Sequence, residues 1–214
     1  MEYWPIPVGR HNRPGRKMKP KGILYHATAN WSQTADAIMH ARYLISTDRK
    51  VSWHVTVDHK RAVQHLPFDE IGWHAGDGNG EYNSNWIGVE ICCNRVKYGQ
   101  PLDKETYQNA VKVIAGLMKE LGLTELKPHK VVYGKDCPHH TLFDHAQFEK
   151  DVREVMNTKK KDKASAWAQK SWAKAIDAEI IDGTRPKDLM TREEVITVLD
   201  RMGLIPEKGA KNDK

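Results

Sequence analysis

A short apolar run leads directly into a small, polar one in the stretch Ile23-Leu24-Tyr25-His26-Ala27-Thr28-Ala29-Asn30. The apolar run predicts a buried β-strand, and the residues after it fit a loop at the end of that strand. Because ligand-binding side chains collect at strand ends in α/β sheets, His26 is a candidate site residue. Farther on, apolar residues recur at helical spacing from Thr34 to about Ser46, with Ser32 or Thr34 as the candidate N-cap.

A β-hairpin is predicted after this helix. Residues 51–57, Val-Ser-Trp-His-Val-Thr-Val, alternate strictly, which places Trp53 on one face with the three valines and His54 on the other. Residues 58–61 fit a turn, and residues 62–66, Ala-Val-Gln-His-Leu, fit a returning strand.

Residues 86–92, Trp-Ile-Gly-Val-Glu-Ile-Cys, form another alternating segment. Its isoleucines and valine point to one side as core residues, which leaves Glu90 on the opposite face. A carboxylate in mid-strand is a poor choice for a position that is merely buried. Glu90 therefore either serves a site, with Gly88 leaving room for an approaching group, or is an exposed glutamate on the sheet surface.

The loop at residues 69–85 contains four glycines and several Asn and Asp residues, so it is predicted to be irregular. A loop of this length in a compact domain usually has a function. Trp73 and His74 are its candidate substrate-binding residues. A histidine in such a loop is also commonly structural or simply exposed.

Two helices are predicted in the second half of this region. The first begins at Asp103, carries an apolar stripe and ends at Gly122, a natural C-cap. The second begins at Asp144, which can cap it, and continues through Met156.

Two side chains suited to bind a metal lie between these helices, in residues 126–140, Leu-Lys-Pro-His-Lys-Val-Val-Tyr-Gly-Lys-Asp-Cys-Pro-His-His. These side chains are His129 and Cys137. Together with His26 they make a set of nitrogen and sulfur ligands that Zn²⁺ prefers, and a fourth position stays open for water. A structural zinc site would normally add a fourth ligand in a tight pair, and the sequence contains no Cys-x-x-Cys. The three residues therefore predict one catalytic zinc.

Two more residues suggest what this zinc would do. Glu90 can take the proton of an attacking water and pass it to a leaving amine. Lys135 can lie over the oxyanion that develops on a carbonyl oxygen. With a metal that polarises the carbonyl, these residues predict metal-assisted amide hydrolysis.

Composition narrows the classes of partner. The 214 residues carry a net charge of +6, which favours a polyanionic partner but leaves nucleic acid, an anionic cell wall and a membrane surface open. No basic helix interleaved with aromatic residues indicates nucleic acid, and no apolar stretch is long enough to span a membrane. We therefore expect neither nucleic-acid binding nor membrane insertion. Three cysteines do not make a disulfide framework.

The composition changes after residue 157. The charged run Asn-Thr-Lys-Lys-Lys-Asp-Lys at residues 157–163 predicts a domain boundary. We therefore expect a catalytic domain at residues 1–157, a linker at 158–164 and a small all-α domain at 165–206. Two helices of this length have a marginal core, so self-association through this domain is one expectation.

Together the motifs resemble the zinc-dependent N-acetylmuramoyl-L-alanine amidases, which include phage endolysins and bacterial autolysins and are related to the peptidoglycan recognition proteins. The resemblance rests on residues 25–30, 52–57, 72–76 (Gly-Trp-His-Ala-Gly), 87–90 (Ile-Gly-Val-Glu), His129 and residues 135–138 (Lys-Asp-Cys-Pro). It implies an α/β fold with a central mixed β-sheet flanked by helices. It also implies cleavage of the amide bond between N-acetylmuramic acid and L-alanine of peptidoglycan.

The resemblance also implies roles for individual residues. His26, His129 and Cys137 match the zinc ligands, Glu90 the catalytic acid of the endolysin branch, and Lys135 the lysine beside the oxyanion. Some relatives carry a tyrosine near the zinc where this chain has Trp53. Because an indole has no ionisable hydroxyl, Glu90 is the better candidate for proton transfer.

The C-terminal region resembles a single S-layer-homology-like motif, in Trp172–Ala175, Ile181–Pro186 and Thr191–Val195. Such motifs usually work in threes and bind anionic cell-wall polymers. Arg185 and Arg192 are the candidate wall-binding residues. The alternative is that both arginines face solvent or stabilise a helix cap.

The leading hypothesis is a cell-wall hydrolase of the endolysin type. The N-terminal residues lack the pattern of a signal peptide, so we expect the protein to stay in the host cytoplasm until it is released to the wall. One alternative is a non-catalytic peptidoglycan-binding protein, and such recognition proteins have lost the ligand cysteine, which is present here as Cys137. The other alternative is a zinc endopeptidase of the stem peptide, which shares the metal chemistry.

Overall fold

The computed structural model describes residues 1–157, 164–181 and 192–205. The chain divides into two compact units, Met1–Asn157 and Thr158–Lys214. Most of the predicted linker, residues 158–163, lies outside the described part. Among the residues that are described, none belongs to a helix long and apolar enough to cross a membrane.

A six-stranded sheet forms the centre of the first unit. Its strands lie in the order β1-β4-β3-β5-β2-β6, and every neighbouring pair is parallel except the β3–β4 hairpin. The strands are β1 (Glu2–Tyr3), β2 (Gly22–Ala27), β3 (Val55–Val57), β4 (Ala62–Gln64), β5 (Trp86–Ile91) and β6 (Glu125–Pro128). The sheet is therefore mixed, as predicted.

Helices flank this sheet, which confirms the predicted α/β fold. The first unit contains α1 (Ala37–Ser46), α2 (Glu81–Asn85), α3 (Lys104–Leu121), α4 (His145–Asn157) and a short 3-10 helix, His129–Val131. The second unit contains α5 (Gln169–Asp177) and α6 (Arg192–Arg201) within its described residues. Residues 182–186 and Thr191 of the predicted S-layer-homology-like motif lie outside those residues.

One face of the sheet packs against α3 and α4 and forms the main core. Alternate residues of β2, β3 and β5 meet the apolar stripe of α3 here, including Tyr25, Val89 and Ile114, which are fully buried. Asp103 begins α3 by accepting a hydrogen bond from the Thr106 amide at 3.1 Å. The predicted apolar stripe and its N-cap are thus confirmed.

The opposite face carries His26 and Glu90, because residues paired across adjacent strands point the same way. His26 pairs with Glu90, Glu90 with Thr56, and Thr56 with Val63. Val63 packs against α1, so α1 covers the β4 end of this same face. The site residues therefore lie on the same sheet face as α1, away from the main core.

Three sequence predictions need correction in this region. The N-cap of α1 is Asp36, which accepts from the Met39 amide at 2.9 Å; Ser32 and Thr34 do not cap it. Strand β3 begins only at Val55, so Trp53 does not share a face with the valines of that strand. The loop at 69–85 is not wholly irregular, because its last five residues form α2.

Candidate metal centre

Strand register brings the predicted metal ligands together. His26 lies near the end of β2, between β5 on one side and β6 on the other. Tyr25 pairs with Pro128, so His129 follows β6 directly beside His26, and the two imidazole rings have centroids 4.3 Å apart. The main chain then folds back, and the Lys130 amide donates to the Cys137 carbonyl at 2.7 Å.

The candidate ligand atoms of His26, His129 and Cys137 all lie within 4.8 Å of one another. Both histidines are almost completely buried, and Cys137 is partly buried with its Sγ 3.9 Å from the Ala27 carbonyl oxygen. A cluster of this size can converge on one ion, and its N₂S donor set suits Zn²⁺.

The hydrogen bonds of His129 suit a metal ligand as well. Its Nε2 lies 2.9 Å from the Ala75 carbonyl oxygen, which can only accept, so the ring proton is on Nε2. Nδ1 then carries the lone pair, and it is buried with no hydrogen-bond partner in the described part of the chain. A buried lone pair without a partner costs free energy, and a bound cation would satisfy it.

Burial sets the protonation of these ligands. It lowers the pKa of both His26 and His129, so both rings are neutral, which is the form that binds metal. Burial also raises the pKa of the Cys137 thiol to about 12. Because zinc binds the thiolate, metal binding at Cys137 must release a proton.

Glu90 lies next to these ligands on the adjacent strand. Its side chain is partly exposed, but Oε2 is buried and finds no hydrogen-bond partner among the described residues. Burial raises the pKa of Glu90 to about 8, and the nearby positive charge of Lys135 opposes this rise. A carboxyl group with a pKa near neutrality can both give and take a proton. Lys135 itself is exposed on the loop between His129 and Cys137.

A cavity of about 410 Å³ opens beside Glu90. Its walls come from the β2–α1 loop, from α1 and from the segment before β3, and comprise Thr28, Asn30, Ser32, Thr34, Ala35, Met39, His40, Tyr43, Val51, Trp53 and Glu90. The indole Nε1 of Trp53 donates to Thr56 Oγ1 at 2.7 Å, and that hydroxyl lies 2.8 Å from His65 Nε2. These bonds hold the Trp53 ring as a fixed wall of the cavity.

The two candidate substrate-binding residues lie in different environments. Trp73 is partly exposed, and Lys50 Nζ lies 4.1 Å from its ring centroid. His74 is only 8% exposed, and its ring nitrogens lie 3.1 Å from His26 Nε2 and 3.1 Å from the Trp86 carbonyl oxygen. The structure therefore places His74 underneath His26, almost completely buried.

The remaining predicted site residues belong to the second unit. Arg192 is exposed at the beginning of α6, and Arg185 lies outside the described residues.

Sequence reasoning did not predict the walls of the cavity or the position of His74. The mid-strand Gly88 was the signal for the latter, because a strand glycine often marks the close approach of another group.

Comparison with known proteins places these residues in a family context. A family model described as N-acetylmuramoyl-L-alanine amidase matches residues 16–140. The N-acetylmuramoyl-L-alanine amidase CwlH of Bacillus subtilis is 38% identical over 211 residues, which cover 97% of this chain and 80% of CwlH. The amidase XlyA of the same organism is 49% identical over 139 residues, which cover 64% of this chain but only 46% of XlyA.

Solved structures show the same fold. The catalytic domain of XlyA superposes with a TM-score of 0.64 at 42% identity, covering 71% of this chain and 97% of that domain. The structure of PlyL superposes with a TM-score of 0.62 at 30% identity, covering 72% of this chain and 96% of PlyL. Both matches are nearly complete for the partner structure, so the likeness concerns a whole catalytic domain.

Proposed function

Because the chain belongs to the N-acetylmuramoyl-L-alanine amidase family, we propose that it hydrolyses the amide bond between N-acetylmuramic acid and L-alanine in peptidoglycan. The observation that supports this most directly is the convergence of His26, His129 and Cys137 beside the partly buried carboxyl group of Glu90. Family membership supports the substrate, and these side chains support hydrolytic chemistry.

In this proposal His26, His129 and Cys137 hold one Zn²⁺. When bound, the ion polarises the substrate carbonyl and lowers the pKa of water. Glu90 takes a proton from the water whose oxygen attacks the carbonyl carbon. It then returns that proton to the amide nitrogen as the carbon–nitrogen bond breaks, so the products are a carboxylic acid and an amine. Lys135 supplies positive charge for the carbonyl oxygen, which becomes negative during the attack.

Products released from purified cell walls test this proposal. We expect new amino termini without new reducing sugar ends, loss of activity with a chelator and recovery with added Zn²⁺. Reducing ends would indicate a glycosidase, and amino termini of residues other than the L-alanine at the muramoyl bond would indicate an endopeptidase. Mass spectrometry of the fragments separates these outcomes.

A pair of cysteine variants separates an enzyme from a binding protein. Cys137→Ser removes the proposed thiolate ligand and should abolish hydrolysis. Cys93→Ser is the matched control, because Cys93 is buried beside Thr28 and the Asn30 carbonyl and serves no proposed ligand role. A Cys137→Ser protein that hydrolysed walls as fast as the wild type would favour a different function.

We further propose that residues 165–206 bind anionic cell-wall polymers or a second copy of this chain. Exposed apolar side chains support a binding role, among them Trp167, which lies just before α5 and is 89% exposed. Arg192, exposed at the beginning of α6, is the proposed anion contact. Loss of wall binding by Arg192→Glu in a co-sedimentation assay tests the first alternative, and sedimentation velocity tests the second. The protein's residence in the host cytoplasm before release to the wall remains part of this proposal.

A further inference from the structure

We propose that His74 is a positioning residue, which fixes the tautomer of His26 so that His26 Nδ1 presents its lone pair to the metal. This inference rests on the proposed metal centre. It is argued from three groups in a row, the Trp86 carbonyl, the His74 ring and the His26 ring, which are joined by two contacts of 3.1 Å.

The Trp86 carbonyl determines where the protons of this chain lie. A carbonyl oxygen can only accept, so the neutral His74 ring carries its proton on Nε2 and donates it to Trp86. His74 Nδ1 is then an acceptor. His26 Nε2, which lies 3.1 Å away, must therefore be the protonated nitrogen of its ring. By elimination, Nδ1 of His26 is the unprotonated nitrogen.

His74 is held so that it cannot leave this position. Its backbone amide donates to Asn83 Oδ1 at 2.8 Å. Its ring lies directly over Gly88, where an added Cβ would come within 2.6 Å of His74 Cγ. The neighbouring ring of His54, whose centroid is 5.8 Å away, is itself bound by the Gly88 amide and the Glu70 carbonyl.

Such a hydrogen-bonded partner behind a metal-binding histidine fixes the orientation and tautomer of that ring. Without an acceptor at His74, both tautomers of His26 become accessible, and the one protonated at Nδ1 cannot bind the metal there. His129 has its own fixed partner in the Ala75 carbonyl, so only His26 depends on a side chain for this purpose among the three proposed ligands. Partners of this kind change metal affinity by about 10–100-fold.

The tautomer can be measured directly on the metal-free wild-type protein. Long-range proton–nitrogen correlation spectra distinguish the two ring nitrogens of each histidine. We expect His26 and His74 both to be protonated at Nε2. A His26 ring protonated at Nδ1 would overturn the proposal, and no variant has to fold for this test.

Metal affinity gives the second test, measured by competition with a chromophoric chelator for Zn²⁺ and by the absorption spectrum of bound Co²⁺. His74→Leu removes the acceptor and should weaken binding about 10–100-fold. His74→Asn keeps an acceptor oxygen near His26 and should recover most of the affinity. His65→Leu is the matched control, because His65 is also buried but bonds Thr56 and the Trp4 carbonyl, and it should leave metal affinity unchanged.

These outcomes separate the inference from the proposed function. Wild-type affinity in His74→Leu, with an unchanged Co²⁺ spectrum, would overturn the positioning role and leave the metal centre intact. An equal loss of affinity in His74→Leu and His65→Leu would overturn it too, because the effect would then follow from general destabilisation. Failure of the wild type to bind Zn²⁺ would refute the metal centre, and the proton positions would still report on His74.

Discussion

Replacing Gly88 with alanine tests the packing that holds His74 beneath His26. The new Cβ would lie 2.6 Å from His74 Cγ and 2.8 Å from both Cδ2 and Nδ1, closer than carbon atoms can approach. His74 cannot yield without loosening its two ring hydrogen bonds, and the backbone of Gly88 is held by two bonds with His54, each 3.0 Å long. The added methyl group must therefore strain the centre of the sheet.

The size of this effect follows from three contributions. Overpacking costs about 1–3 kcal/mol, and two weakened hydrogen bonds cost about 1 kcal/mol each. Alanine has a smaller backbone entropy than glycine in the unfolded chain, which stabilises the folded protein by about 0.5–1 kcal/mol and partly offsets these costs. Gly88→Ala should therefore lower the free energy of unfolding by about 2–4 kcal/mol.

Urea unfolding of the metal-free full chain, followed by circular dichroism, measures this change. Gly116→Ala is the matched control, since Gly116 is exposed within α3 and a Cβ there meets nothing within 4 Å. That variant should gain about 0.5–1 kcal/mol, because alanine favours a helix. A Gly88→Ala protein as stable as the wild type would refute the reasoning about His74.

Three further predictions concern the charged groups of the first unit. Glu90→Gln should lower kcat by about 10²–10⁴-fold with zinc content unchanged, because an amide cannot carry the proton; product assays and metal analysis check this. Burial raises the pKa of Glu90 from 4.5 to about 8, so between these pH values the folded protein keeps a proton that the unfolded chain loses. The free energy of unfolding should therefore be highest below pH 4.5 and fall as the pH rises toward 8. Metal-free Glu90→Gln should lack this loss in unfolding curves at several pH values, and parallel profiles would contradict it. Arg13→Met should cost about 3 kcal/mol, because the 3.9 Å contact to Lys17 is then the one ion pair left to the nearly buried Glu70 carboxylate among the described residues. The double variant Arg13→Met/Glu70→Met should cost less in urea unfolding, and an equal cost would count against the pair.

Local sequence patterns predicted the structure correctly wherever a residue's environment depends on its near neighbours in sequence. The stripe of α3 and the cap at Asp103 follow from a period of 3.6 residues and one short polar side chain. The β3–β4 hairpin follows from alternation around a turn. The predicted N-cap of α1 was wrong because Asp36, Thr34 and Ser32 are all good capping residues, and only the path of the folded chain selects one of them.

Positions that depend on distant segments could not be derived in this way. Alternation predicted that Glu90 leaves the core face, but not that His26 pairs with it, since periodicity carries no information on strand order. Trp53 was misplaced because its segment looks like strand but enters the sheet only at Val55. Gly88 was expected to leave room for an approaching group, and the group that fills that room, His74, comes from a loop.

The sequence by itself determined the α/β composition, the residues able to bind a metal and, through the order of its motifs, the family. These properties depend on residue type and spacing, which can be read from the sequence before the chain folds. The tertiary structure alone decided that His26, His129 and Cys137 meet within 4.8 Å, that Glu90 lies beside them with its Oε2 buried and that His74 lies beneath His26. The physical reason is that strand order and register, set by the packing of the whole sheet, bring side chains from distant segments into contact.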